Sequence, residues 1–253
     1  MFLIDPPPSQ GDLHFRVFGF PVRIHPLFWV STVLLSFRGS REPAHVLIWV
    51  AVVLVSILVH ELGHAFLQRH YGGRPWITLY AFGGMASCDD CDQSTKSQIL
   101  IALAGPGAGF ALAILLLAIL NLLGIQAGVA LREADLPDGA YYLSLVGLRC
   151  YWSDAGGENA TRIISSLLYV NIFWGLINLL PIYPLDGGRV SRELCLLGRN
   201  TRAGMDISLK ISIVAASLMA VYGLRHGLYV TLLFGYLAYS SYQTLARYRG
   251  SAW

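Results

Sequence analysis

The chain has 253 residues, of which 55% are hydrophobic and 13% charged, with a formal net charge of +3. A soluble domain carries about 25% charged residues, yet here no charged residue stands between Lys96 and Arg132, a gap of 35 positions. A helix crosses a bilayer in about 20 apolar residues, so a soluble globular enzyme is excluded. The thin charge has no basic block, which excludes a disordered or nucleic-acid-binding chain as well.

These features predict an all-α polytopic membrane protein, one membrane-embedded domain over 1–253 with about six transmembrane helices. Met1–Ile4 is too short for a signal-peptide apolar core. The first span is expected over about 22–37, marked by Pro21, His25 and Pro26, and the second over about 45–69, containing His60, Glu61 and His64. Trp76–Ser87 is apolar and glycine-rich but too short to cross, and is expected to form a small re-entrant or interfacial β segment near 76–87. Cys88-Asp89-Asp90-Cys91 follows it. A C-x-x-C can bind metal or cycle its redox state, but one pair is half a structural zinc site, and the reading taken is a plain dithiol in an acidic loop. The third span lies in the uncharged gap, about 98–123. A loop over 124–162 follows, then a fourth span over about 163–180 that ends in Pro181 and Pro184. The fifth, about 207–224, needs Lys210 to snorkel from its end. The sixth covers about 228–246, its tyrosines and Phe234 serving packing and the interfacial belt.

Of the 18 Lys and Arg, twelve fall on one side of this arrangement, among them Arg16, Arg23, Arg69, Arg74, Lys96, Arg189, Arg192 and Arg247. Six fall on the other: Arg38, Arg41, Arg132, Arg149, Arg162 and Arg225. The positive-inside bias therefore puts both termini in the cytoplasm.

The chemically informative stretch is His60-Glu61-Leu62-Gly63-His64. Residues four apart on a helix share a face, with Cβ atoms about 5–6 Å apart. Two imidazoles so placed can both reach one zinc ion at about 2.0–2.1 Å. Glu61, beside the first ligand, can take a proton from the attacking water. Charge in mid-membrane costs roughly 2.5–3.5 kcal/mol per group on insertion scales, so Glu61 needs a compensating role; the plainer alternative is that the histidines only hydrogen-bond neighbouring helices. A catalytic zinc has three protein ligands and one open position. The best candidate for the third is Asp186 in Pro181-Ile182-Tyr183-Pro184-Leu185-Asp186-Gly187-Gly188, where prolines and glycines predict unwound backbone. The competing reading there is an interfacial turn with a solvated aspartate.

Together with Gly83-Gly84, Ala104-Gly105-Pro106, Asn178…Pro181…Pro184-Leu185-Asp186-Gly187 and the opening Gly19-Phe20-Pro21-Val22-Arg23-Ile24-His25, the HELGH helix resembles the site-two protease family of intramembrane zinc metalloproteases. The likeness extends over about residues 17–246. It implies one zinc ion held by His60, His64 and Asp186, with Glu61 activating water and Asn178 orienting the substrate peptide bond or stabilising the oxyanion. It also implies that the Phe82-Gly83-Gly84 region is the strand on which an unwound substrate is laid, where the residues alone are equally compatible with a tight turn. The implied substrate is a transmembrane protein within the lipid bilayer, cleaved in regulated intramembrane proteolysis, in a bacterial-type inner membrane. Neither the 124–162 loop nor the tail after 246 has room for the peptide-binding or nucleotide-sensing domains of some members. Homo-oligomerisation is left open. Two other classes compete: a catalytically silent scaffold that binds membrane helices, and an ion-coupled transporter with the same intramembrane polar residues as its path.

Overall fold

The computed structural model describes residues 7–36, 42–81, 83–145, 147–198 and 200–250. Phe37, at the end of the expected first span, and Phe82, beside Gly83, lie outside them. The chain divides into two units, Met1–Cys91 with Ala104–Gly175, and Asp92–Leu103 with Leu176–Trp253.

The first unit opens with strands β1 (Leu13–Val17) and β2 (Phe20–Ile24). They are joined by a two-residue turn in which Phe18 and Gly19 both have positive φ, the backbone twist that suits a tight hairpin. Helices α1 (Pro26–Ser36) and α2 (Pro43–His70) follow, then β3 (Trp76–Tyr80) and β4 (Gly83–Ser87). The sheet order is β1-β2-β3-β4, with β2 and β3 parallel and the other pairs antiparallel. Parallel pairing requires a long crossover, and α1 with α2 supplies it. Alternation along the strands puts Phe20, Val22, Ile24, Ile77, Leu79 and Ala86 into a core with Phe28 of α1 and Val52, Val53 and Ile57 of α2. The expected β segment near 76–87 is thus a hairpin, with Leu79 opposite Gly84 and Tyr80 opposite Gly83.

The rest of this unit is built on α3 (Thr95–Leu122), whose first residues belong to the second unit. A second sheet, β5 (Ala127–Ala130), β6 (Tyr141–Leu145) and β7 (Leu148–Trp152), has the order β5-β7-β6 and is antiparallel throughout. It occupies the stretch read as a plain loop. Ala127, Cys150 and Trp152 on one face pack with Leu120 of α3 and with Ile164 and Leu168 of α4 (Glu158–Tyr169). After α4 a π-helical turn, Val170–Trp174, leads into the short α5 (Gly175–Asn178).

In the second unit, residues 179–185 are non-helical with a cis Tyr183–Pro184 bond, before α6 (Asp186–Leu196), α7 (Thr201–His226) and α8 (Leu228–Gly250). Backbone without helix or sheet bonds is tolerated at membrane depth only where protein satisfies it. Here the Tyr183 amide donates to Ser212 Oγ at 2.7 Å, and Ser212 and Ser241 hydroxyls are 2.8 Å apart. Ile182 is buried with Ala216, Phe234 and Leu237. Lys210 pairs with Asp206 at 2.6 Å, as does Arg249, so the lysine expected to snorkel is neutralised on its own helix.

Among the described residues, four helices are long and apolar enough to cross a membrane: Pro43–His70, Thr95–Leu122, Glu158–Asn178 and Thr201–Arg225. The expected first span differs, because residues 22–24 are committed to β2 and the helix that follows has 11 residues. The first-unit packing sets a clear steric test on α2 and α3. A Cβ on Gly63 would lie 2.4 Å from the Ala104 carbonyl oxygen, whereas one on Gly107 would meet nothing within 4 Å. Gly63→Leu should lower the thermal midpoint in detergent by about 5 °C or more, the overpacking penalty being about 1–3 kcal/mol. Gly107→Ala should be neutral or stabilising by up to about 1 kcal/mol. Equal effects at the two positions would contradict this packing.

Candidate metal centre

Helix α2 carries four polar side chains at successive i+4 positions, Ser56, His60, His64 and Gln68, all buried. One stripe of this kind faces one side of a helix. The Nε2 atoms of His60 and His64 are 3.2 Å apart, and the rings meet edge to face with centroids 4.9 Å apart. Two nitrogens bound tetrahedrally at about 2.0–2.1 Å stand about 3.3 Å apart, so the observed separation suits a shared zinc ion. Glu61 is 5% exposed, His60 6% and His64 3%.

The site is shaped by what is missing around these side chains. A Cβ at Gly105 would stand 2.2 Å from His64 Nε2 and 2.8 Å from His60 Nε2. One at Gly84 would stand 2.4 Å from Glu61 Cγ and 2.6 Å from its Oε1. The imidazoles therefore occupy a notch in α3, and the carboxyl group lies against the backbone of β4. Gly83 has φ +127°, a conformation that favours glycine, and it begins β4 opposite Tyr80.

Asp186 is the first residue of α6 and is buried. A carboxylate there is favoured by the unsatisfied amides of the helix start. Gly187 and Gly188 let that helix start fold onto the preceding turn, since their Cβ atoms would meet the Leu179 and Ile182 carbonyl oxygens at 2.1 and 2.5 Å. His60 and His64 of the first unit and Asp186 of the second are each buried, and all three are side chains that can ligate a metal ion. Two imidazoles and a carboxylate are a donor set of the kind found in catalytic zinc sites. The residues present fit zinc. Asn178 is buried at the end of α5.

Two residues that the sequence reading passed over support the site. Asn171, in the π-helical turn, donates to Ser56 Oγ at 2.9 Å, one turn before His60 on α2. Gly105, quoted only as part of a motif, is the notch for both imidazoles. The i+4 polar stripe on α2 was the available signal for Ser56. The π-helical turn left none.

Fold and site together define a membrane-embedded metalloprotein of the His-Glu-x-x-His type. The family model for peptidase family M50 matches residues 48–221, and the chain belongs to that family. It is 24% identical over 214 residues to zinc metalloprotease MJ0392 of Methanocaldococcus jannaschii, covering 83% of this chain and 53% of that protein. It is 29% identical over 227 residues to Rip3 of Mycobacterium tuberculosis, covering 81% and 49%. It is 23% identical over 171 residues to stage IV sporulation protein FB of Bacillus subtilis, covering 67% and 46%. The chain spans about half the length of these curated relatives. Its fold is that of the solved site-2 protease from Methanocaldococcus jannaschii, with a TM-score of 0.58, 22% identity, and coverage of 92% of this chain and 95% of that one.

The two glycine contacts separate metal holding from the carboxyl group's placement. Gly105→Ala should displace both imidazoles and lower bound zinc to well under half of the wild-type content, counted by atomic emission on detergent-purified protein. Gly84→Ala presses on Glu61 alone and should leave about one zinc per chain. Full zinc in Gly105→Ala would show that the notch is not needed.

Proposed function

We propose that residues 1–253 act as a single intramembrane zinc metalloendopeptidase domain that hydrolyses peptide bonds in or near transmembrane segments of other membrane proteins. The observation that carries this reading is the buried His60, Glu61 and His64 set on α2, whose two imidazole nitrogens stand 3.2 Å apart, as sharing one zinc requires. In it, His60, His64 and Asp186 hold the zinc. When bound, the metal supplies Lewis-acid polarisation of the scissile carbonyl and makes water more acidic.

Glu61 is the general base. Its carboxyl group takes a proton from the attacking water and then, as general acid, delivers it to the departing amine nitrogen. Asn178 orients the scissile carbonyl through its side-chain amide. A helical peptide bond is sterically closed, so the substrate must unwind and find new backbone partners. β4 is an edge strand of its sheet and begins with Gly83 and Gly84, which suits it to receive an extended segment as an added strand.

The Lys and Arg distribution supports both termini in the cytoplasm of a bacterial-type inner membrane, with six crossings. The first contains α1, and the last is α8. His60 lies nine residues before Arg69, so at 1.5 Å per residue the zinc sits about 13 Å beneath the cytoplasmic face. Membership of the peptidase family supports regulated cleavage of membrane-tethered proteins as the role.

Loss of the base and loss of a ligand should be distinguishable. Glu61→Gln should keep about one zinc per chain but reduce cleavage of a transmembrane reporter by about 10²–10⁴-fold. Asp186→Ala should lose both zinc and cleavage. A Glu61→Gln protein with wild-type cleavage would refute the mechanism.

A further inference from the structure

The pair read from sequence as a plain dithiol is a disulfide: Cys88 and Cys91 are bonded, closing a four-residue loop directly after β4. This loop is built onto the end of α2. A Cβ on Gly73 would stand 2.3 Å from both sulfurs, so the turn after α2 passes where only glycine leaves room for them. The Arg74 amide donates to Asp90 Oδ1 at 3.0 Å, and the Gly73 amide to the Gln68 carbonyl at 3.0 Å. Gln68 Nε2 in turn donates to the Ala86 carbonyl of β4 at 3.2 Å. The disulfide, the end of α2 and the last residues of β4 therefore form one connected patch. Ala86 lies two residues from Gly84, against which the Glu61 carboxyl group rests.

Two observations suit this loop to a change of redox state. Cys91 Sγ lies 3.9 Å from the Gln68 carbonyl oxygen and Cys88 Sγ 3.6 Å from Asp90 Oδ1, so each sulfur already faces an acceptor for the proton it would gain on reduction. Cys88 is half-buried and Cys91 buried, which offers one sulfur to an incoming thiolate and shelters the other as the leaving group.

We infer that Cys88–Cys91 is a reversible thiol–disulfide site that braces β4 when oxidised and releases it when reduced. An external thiolate attacks Cys88 Sγ, the S–S bond breaks, and Cys91 leaves and takes up a proton. A second thiol resolves the mixed disulfide and frees Cys88 as a thiol. Two thiols become one disulfide, and two electrons and two protons pass to the protein. The consequence for substrate rests on the proteolytic reading above. A braced strand loses less conformational freedom when a substrate segment joins it.

The test uses the full chain in detergent, equilibrated in glutathione buffers of varied reduced-to-oxidised ratio, with zinc counted in every sample. Alkylation with a polyethylene-glycol maleimide should count two more thiols in the reduced than in the oxidised protein, reversibly, and no difference in Cys88→Ser/Cys91→Ser. Cys150, buried and with its thiol pushed up by that burial, and Cys195 contribute the same background to both proteins. Amide exchange across 83–91 should be about tenfold faster in the reduced form, with zinc unchanged. The proposal is overturned if the pair stays bonded or stays free at every ratio. It is equally overturned if a second zinc occupies the pair, or if exchange in β4 is the same in both states. With a cleavable transmembrane reporter, reduction should raise KM several-fold and leave kcat in place. No cleavage in either state would instead count against the proteolytic reading, leaving the thiol and exchange results to stand by themselves.

Discussion

The imidazoles of His60 and His64 and the carboxyl group of Glu61 fill space that a single methyl group at Gly105 or Gly84 would take. That steric condition governs the first unit. Helix α2 is 28 residues of mostly apolar chain, and a helix of this kind gains nothing in lipid from burying its polar stripe unless other backbone comes close enough to enclose it. Gly63 lets α3 approach α2 at backbone distance, Gly105 opens the notch between them, and Gly84 brings a strand edge against the glutamate. Small residues at the contact thus serve two ends together: they tighten helix packing, and they leave room for long polar side chains.

The second unit solves a related problem by a different route. Asp186 needs to start a helix while the preceding residues are unwound, and unwound backbone carries unsatisfied polar groups. Ser212 and Ser241, from α7 and α8, take up the Tyr183 backbone, and Gly187 and Gly188 allow the new helix to begin tightly over the turn. The acidic ligand is then held by backbone that hydroxyl groups have made affordable in an apolar setting.

The disulfide closes the last residues of the first unit's N-terminal segment. Its place is informative, because β4 is at once a sheet edge, the neighbour of Glu61 and the strand whose end the cysteines close off. Stability across a protein is uneven, and elements that bind tend to come from its looser regions. An edge strand of five residues beginning with two glycines is such an element, and a covalent brace at its end changes how far it can loosen.

Much of the chemistry was legible in the chain itself. His60, Glu61 and His64 follow from helical spacing, and Asp186 from an acidic residue set among prolines and glycines after a long uncharged run. The membrane class follows from the 35-residue gap alone. These are local signals, carried by residues a few positions apart. What only the tertiary structure decided is non-local. The pairing of β2 with β3 across two helices shortened the first helix. The sheet over residues 127–152 was hidden because its strands are short and its partners lie on α3 and α4. The bond between Cys88 and Cys91, and the contacts of Gly105, Gly84 and Asn171, depend on distances between elements. Spacing in the chain reports which side chains can share a face, but close approach is set by packing, and packing is a property of the folded molecule.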